Sequence, residues 1–144
     1  MFTKSSCALG LAFLLVPTLA VAASQSTLTE HSGNLAIHAN IASGSLHVLH
    51  LNNTADHRTL NLGEAFTLVL ADGATIRSTQ LHAAPLASSS VADMHQELTT
   101  QHTAAHHESC LRFTGEALNG TADWCVVAAS GNYLRTLLKL TAGA

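Results

Sequence analysis

Histidine is the residue type in this sequence with the clearest capacity for chemistry. The chain contains 10 histidines but only 6 lysines and arginines together. A neutral imidazole is a common ligand for transition metals, and its charge changes near physiological pH. His47 and His50 are three residues apart and would point to opposite faces of a regular strand, which is poor for one shared ion. The composition predicts a surface whose positive charge rises below about pH 6.

A second group of ligand-type residues lies further along the chain. It consists of His102, His106, His107 and Glu108. His102 and His106 share a face of an extended strand, but roughly 13 Å would separate them. A bend at Ala104-Ala105 would be needed to bring both to about 2 Å from one ion. These residues are the sequence-based candidates for a metal site. The alternative, which we favour at this point, is that histidine fills ordinary solvent-facing strand positions.

Aromatic side chains that could stack on a sugar are few, with one Trp and one Tyr in the chain. Trp124 shares a strand face with Val126, which favours a place in the core. Tyr133 and Arg135 project together from the more polar face of the last predicted strand, either as a binding pair or as a surface stacking pair. The candidates for a carbohydrate site or a domain interface are Tyr133, Arg135, Asn132 and Trp124.

Recognisable catalytic motifs are absent from the sequence. It has no nucleophile elbow, P-loop, dinucleotide-binding glycine pattern or zinc-binding helix motif. The 9 acidic residues are scattered, and Asp56, Asp72 and Asp123 fall where turns are expected. We therefore expect no catalytic residue and no cofactor, and we predict that the isolated chain is not an enzyme.

The elements that would position these residues are strands. Apolar residues alternate with polar ones, as in Leu35 to Ile41, and no segment keeps a helical period. Asp72-Gly73 and Asn119-Gly120 are strong hairpin signals. Leu46 and Val48 are followed by Leu49 and Leu51, which indicates a slip in phase within one strand. The pattern predicts an all-β fold, an antiparallel β-sandwich of the supersandwich type.

The first 22 residues resemble a secretory signal peptide. Lys4 precedes a short apolar segment over 8–16, and Ala20-Val21-Ala22 supplies small residues for cleavage. The apolar segment is shorter than the roughly 20 residues of a membrane span. We predict removal of residues 1–22, a β-sandwich domain over 23–144, and a secreted or periplasmic location without a membrane anchor. A retained N-terminal anchor is the alternative.

Two cysteines, Cys110 and Cys125, follow the signal segment. A hairpin centred on Asn119-Gly120 would place Cys110 opposite Ala128 or Ala129. Cys125 would then lie about 10 Å away along the partner strand, too far for a disulfide. This register favours two free or buried thiols, and a slipped register would favour a disulfide.

Charge and length exclude two classes of protein. The net charge of −3 and the isoelectric point near 6.3 lack the basic footprint of a nucleic-acid-binding protein. The 144 residues suffice for one domain, but not for a complete TIM barrel of about 250 residues.

Two segments carry a family resemblance: LNLGEAFTLVLADGATIRSTQL over 60–81 and ADWCVVAASGNYLRTLLKL over 122–140. Together they resemble the N-terminal β-sandwich of secreted α-galactosidase-like glycosidases of the melibiase group, a domain related to the galactose-mutarotase fold. The matching residues are Gly63, Phe66, Leu68, Leu70, Asp72, Gly73 and Ser78, then Trp124, Gly131, Asn132, Tyr133, Arg135, Leu138 and Leu140. The turn at 129–133 lacks the family's usual Asp-Gly and one spacer residue, and the sequence has no counterpart of the catalytic barrel with its two aspartates.

The resemblance implies an exported, non-catalytic module of carbohydrate-active type. It would correspond to the N-terminal part of an α-galactosidase-like glycoside hydrolase, as a C-terminally truncated gene product, a fragment or a free-standing relative, and its partner would be a carbohydrate or the missing barrel. The alternatives are a histidine-rich periplasmic metal-binding protein and a structural or adhesion-type β-sandwich.

Overall fold

The computed structural model describes residues 25–86, 107–129 and 131–143, and nearly all regular structure in these ranges is β-strand. The strands are β1 (Gln25–Ser32), β2 (Leu35–Ala42), β3 (Ser45–Asn53), β4 (Arg58–Asn61), β5 (Thr67–Val69), β6 (Thr75–Arg77), β7 (His82–Pro85), β8 (His107–Gly115), β9 (Gly120–Ala129) and β10 (Tyr133–Ala142). Two short 3₁₀ turns cover Ser78–Gln80 and Glu116–Leu118. Within the described ranges, no helix is long and apolar enough to cross a membrane. The prediction of an all-β fold is confirmed.

The strands form one large antiparallel sheet and a small separate hairpin. The large sheet has the order β1-β2-β3-β7-β8-β9-β10, with β4 added beside β3, and β5 pairs with β6. Strands β3 and β7 share a single residue pair, Ser45 with His82. The sheet folds over at this narrow junction, and β1 lies against β8 and β9. The result is a sandwich-like fold of two layers, β1 to β4 and β7 to β10.

The core lies between these two layers and is filled by alternate residues of each strand. Phe113 is fully buried on β8, and its ring meets that of Phe66 edge to face at 5.1 Å. The apolar core residues are Leu28, Ile37, Ala39, Ile41, Leu46, Leu49, Phe66, Ile76, Leu81, Ala83, Leu111, Phe113, Ala122, Trp124 and Val126. Because successive side chains of a strand point to opposite faces, the intervening residues lie on the other face of each layer, where Cys110, Cys125 and Val127 are nevertheless buried.

A β-bulge interrupts the pairing of β2 with β3. Asn40 lies opposite Val48, but Ile41 lies opposite Leu46, so His47 is the extra residue. The bulge lets Leu46 and Leu49 both point into the core although they are three residues apart. The predicted slip in phase is confirmed.

The hairpin of β8 and β9 corrects the prediction of free thiols. The 3₁₀ turn Glu116–Leu118 lengthens the loop, so Gly115 pairs with Gly120 and Cys110 lies directly opposite Cys125. The two cysteines form a disulfide, with their Cα atoms 4.1 Å apart. The sequence-based register was wrong by three or four residues because it centred the turn on Asn119-Gly120, whereas the loop that joins the strands covers residues 116–119.

The loop before β5 is held by one carboxylate. Glu64 Oε2 accepts hydrogen bonds from Ser78 Oγ at 2.7 Å and from Thr79 N at 2.9 Å, and Glu64 Oε1 accepts from Thr79 Oγ1 at 2.6 Å. Partial burial raises the pKa of Glu64, but the hydrogen bonds from Thr79 and Ser78, with the nearby Arg77 charge, outweigh it and leave the pKa below its usual value. This carboxylate therefore acts as an ionised structural brace.

One aspartate departs from its predicted turn position. Asp56 and Asp72 accept hydrogen bonds from backbone N–H groups two residues ahead, as turn residues do. Asp123 instead lies on β9, largely buried, and forms a two-point ion pair with Arg112 at 2.7 Å and 2.8 Å. The pair joins opposite residues of β8 and β9 and so stabilises their register.

Candidate metal centre

Three histidines lie side by side on the outer face of β1, β2 and β3. His38 is directly opposite His50, and on its other side it is opposite Thr29, two residues before His31. The ring centroids of His38 and His50 are 5.1 Å apart, and those of His38 and His31 are 5.9 Å apart. Opposite and diagonal residues of neighbouring strands are close enough for aromatic side chains to touch. We call His31, His38 and His50 the histidine trio.

Two members of the trio, His38 and His50, line an open cleft of about 320 Å³, and none of the described residues that line it is acidic. Its lining residues are Thr27, Thr29, His38, Ala39, Asn40, Val48 and His50. Thr29 Oγ1 and His38 Nδ1 are hydrogen-bonded at 3.1 Å. This contact orients the central ring and leaves its Nε2 as the nitrogen that Thr29 does not engage. A hydrogen bond to the second ring nitrogen is the usual support of a metal-binding histidine.

Electrostatics favour the neutral form of the central ring. The pKa of His38 is lowered by burial, and further by the neighbouring His50 and His31, since a second positive charge nearby is unfavourable. The lowered pKa favours the neutral imidazole of His38, which is the form that binds metal ions.

We expect His38 to make folding stability depend on pH. A histidine with a lowered pKa in the folded state stabilises the fold fully above its unfolded pKa of about 6.5, and this contribution is lost as the pH falls through the folded value. In urea unfolding at pH 7 and pH 5, His38→Gln should lose less stability on acidification than the wild type. The matched control His57→Gln changes an exposed histidine outside the trio and should keep the wild-type pH dependence. Equal losses in wild type and His38→Gln would contradict this prediction.

Of the four metal candidates taken from the sequence, the structure describes the side chain of Glu108 alone. His102 and His106 lie outside the described residues, and His107 begins β8 without a described side chain. Glu108 lies half-buried on β8, two residues before Cys110. The histidine trio was missed because its members come from three strands and are far apart in sequence.

Glu108 belongs to a tighter cluster than the trio. Among the described residues, the only three His, Cys, Asp or Glu side chains with ligand atoms all within 4.8 Å are Glu108, Cys110 and Cys125. The two sulfurs of this cluster are bonded to each other. In the disulfide form they are therefore not thiolate ligands.

The four candidates for a carbohydrate site or interface separate into two kinds. Trp124 is 3% exposed and packs in the core, so the structure removes it from the residues that could stack on a sugar. The Asn132 side chain accepts a hydrogen bond from Asn34 N at 2.7 Å and braces the β1–β2 turn. Tyr133, 56% exposed, and Arg135, also exposed, share one face of β10. Asn132, Tyr133 and Arg135 are therefore the exposed candidates, and of these Asn132 has its side-chain oxygen engaged by Asn34.

Comparison of the chain with protein-family models, curated proteins and solved structures found no match. The arrangement of its own residues is therefore the ground for proposing a function.

Proposed function

We propose that this protein binds a transition-metal ion through the histidine trio. The observation that carries the proposal is the placement of three imidazoles side by side on neighbouring strands, with the central one held by Thr29. Imidazole ligands suit Zn²⁺, Cu²⁺ and Ni²⁺ better than the hard ions Mg²⁺ and Ca²⁺.

The ring separations support a shared ion. Two imidazoles bound to one ion at about 2.0–2.1 Å place their ring centroids roughly 5 Å apart. The separations of 5.1 Å and 5.9 Å between His38 and its two neighbours are close to this value. The ligand nitrogens of all three rings do not yet lie within 4.8 Å of one another, so binding of one ion requires the side chains to rotate. The β-bulge at His47 is essential to the arrangement because it brings His50 opposite His38.

An exported location is part of the proposal. The signal-like pattern of residues 1–22 supports it. The Cys110–Cys125 disulfide adds independent support, since disulfides persist in oxidising compartments.

Calorimetric titration of the metal-free full-length protein with Zn²⁺ and with Cu²⁺ tests the proposal. We expect one stoichiometric site of micromolar or better affinity. Replacing the whole trio by alanine should abolish it, and His38→Ala alone should weaken it by about tenfold or more, at least the effect of losing a supporting contact.

Two further variants complete the experiment. One replaces two exposed histidines elsewhere, His57 and His82, and should bind as the wild type does. The other replaces His102, His106 and His107, the sequence-based candidates. If the trio variant binds normally, the proposal fails. If the variant at 102, 106 and 107 alone loses binding, the site belongs to that segment instead.

A second candidate function rests on Tyr133 and Arg135. Their exposure on one face of β10 favours a carbohydrate-binding module, as the glycosidase resemblance implies. On a glycan array the purified protein should bind a defined set of sugars, and Tyr133→Ala and Arg135→Ala should each abolish that binding without changing metal affinity. Absence of any glycan binding by the folded protein would exclude this candidate.

A further inference from the structure

The disulfide and Glu108 lie together on the outer face of β8 and β9. Glu108 and Cys110 are two residues apart and so share a strand face, while Cys125 is directly opposite Cys110. Glu108 Oε1 is 3.5 Å from Cys110 Sγ. The two sulfurs and a carboxylate oxygen all lie within 4.8 Å of one another.

We propose that reduction of the Cys110–Cys125 disulfide creates a second metal site, in which both thiolates and the Glu108 carboxylate bind a thiophilic divalent ion such as Zn²⁺. Zinc is bound tetrahedrally by Cys sulfur at about 2.3 Å and by Glu oxygen at about 2.0–2.2 Å. Three ligands already within 4.8 Å can approach one ion with small side-chain movements. The fourth position would be open to water. The site shares no residue with the histidine trio, so it is independent of the proposed function.

The surroundings keep these three groups in place after reduction. Backbone pairing of β8 with β9 continues on both sides of the cysteine pair. The Arg112–Asp123 ion pair occupies the next row on the same face. A site held by strand pairing loses little order when the S–S bond breaks, and such preorganisation favours binding.

A cleft gives access to the cluster from one side. It has a volume of about 360 Å³, and Glu108 and Cys110 both line it, together with Leu86. Leu86 and Leu137 pack against the sulfurs from the neighbouring strand segments. Cys110 is 4% exposed and Cys125 is 0% exposed, so Cys110 is the sulfur that the cleft reaches, and a reductant attacks there when the edge of the cleft opens locally.

The chemistry requires a dithiol reductant. One thiolate of the dithiol attacks the Cys110 sulfur, the S–S bond breaks, and Cys125 leaves as a thiolate. The second thiol of the reductant then displaces Cys110, and the dithiol departs as its own disulfide. Two electrons pass to the protein, and the ion takes the place of the two protons that the free thiols would hold.

Titration with Co²⁺ distinguishes this site from histidine ligation because thiolate ligands give a charge-transfer band in the near ultraviolet. The full-length protein would carry Cys7→Ser in every variant, so that only Cys110 and Cys125 can contribute. The dithiol-reduced protein, freed of reductant, should show the band at one equivalent, and the oxidised protein should not. Glu108→Gln should weaken binding by about tenfold or more. The control Glu116→Gln changes an exposed carboxylate of the β8–β9 loop and should leave it unchanged.

Each other outcome overturns the inference. If the reduced protein gives no band, the thiols do not form a site. If Glu108→Gln binds as the Glu116→Gln control does, the carboxylate is not a ligand. If reduction unfolds the chain, as seen by far-ultraviolet circular dichroism, and Co²⁺ or Zn²⁺ does not restore the fold, the preorganised site does not exist. The histidine-trio variant, once reduced, should still show the thiolate charge-transfer band even if it no longer binds Co²⁺ through histidine. The two proposals can therefore fail separately.

Discussion

Replacing Phe113 by alanine is expected to destabilise the protein by about 3–5 kcal/mol. Phe113 is 0% exposed and lies between the two layers, so truncation leaves a cavity that both sheets would have to close. It also removes the edge-to-face contact with Phe66, the residue that attaches the start of the β5–β6 hairpin to the core. A loss of this size is a large fraction of the stability of a single domain.

Urea unfolding at pH 7, followed by circular dichroism, measures this loss. The control is Leu60→Ala on β4, since Leu60 is 58% exposed and its truncation should cost less than about 0.5 kcal/mol. If the two variants lower the unfolding free energy equally, the buried side chain of Phe113 does not stabilise the fold by the predicted amount.

Features of the fold that depend on local sequence were predictable. The alternation from Leu35 to Ile41 became β2, with Ile37, Ala39 and Ile41 in the core. The Asp72-Gly73 signal became the β5–β6 turn, with Leu68 opposite Ile76. Each of these depends on a few neighbouring residues whose side chains and backbone preferences agree.

The candidate sites depend on the register of strand pairing. That register depends on the exact position of a β-bulge and on a 3₁₀ turn, neither of which can be recognised from the sequence of the residues that form it. Counting outward from the Ser43-Gly44 turn without a bulge places Leu49, not His50, opposite His38; the extra residue His47 corrects this by one position. The 3₁₀ turn Glu116–Leu118 moves Cys125 opposite Cys110 in the same way. A register shift of one residue thus decides whether His50 lies opposite His38, and a shift of three or four residues decides whether the two cysteines can form a disulfide.

Many residues behind the glycosidase resemblance are braces of the fold. Ser78 is fully buried and links the loop before β5 to the turn after β6. Gly131 O accepts a hydrogen bond from Ser32 Oγ at 2.6 Å, which ties the β9–β10 turn to β1. Asn132 caps the neighbouring turn, where Gly33 has a φ of +56° and no Cβ to collide with the amide. Such residues can recur in sandwiches of different function because they stabilise turns and loops.

Removing the disulfide by the double variant Cys110→Ala/Cys125→Ala is expected to destabilise the protein by about 3 kcal/mol. The two cysteines are 15 residues apart in sequence, and closing a loop of that length restricts the unfolded chain by about this free energy. Both residues are buried beside Leu86 and Leu137, so the loss of two sulfurs adds a packing cost in the same direction.

The measurement compares urea unfolding of the Cys7→Ser protein and the double variant, each with and without a dithiol reductant. Reduction should lower the stability of the first by nearly the amount that the double variant loses, and it should leave the double variant unchanged. A single Cys110→Ala substitution should resemble the double variant, because one cysteine cannot close the loop. If the oxidised and reduced proteins unfold at the same urea concentration, the disulfide does not stabilise this fold, and strand pairing with the Arg112–Asp123 ion pair holds β8 against β9 alone.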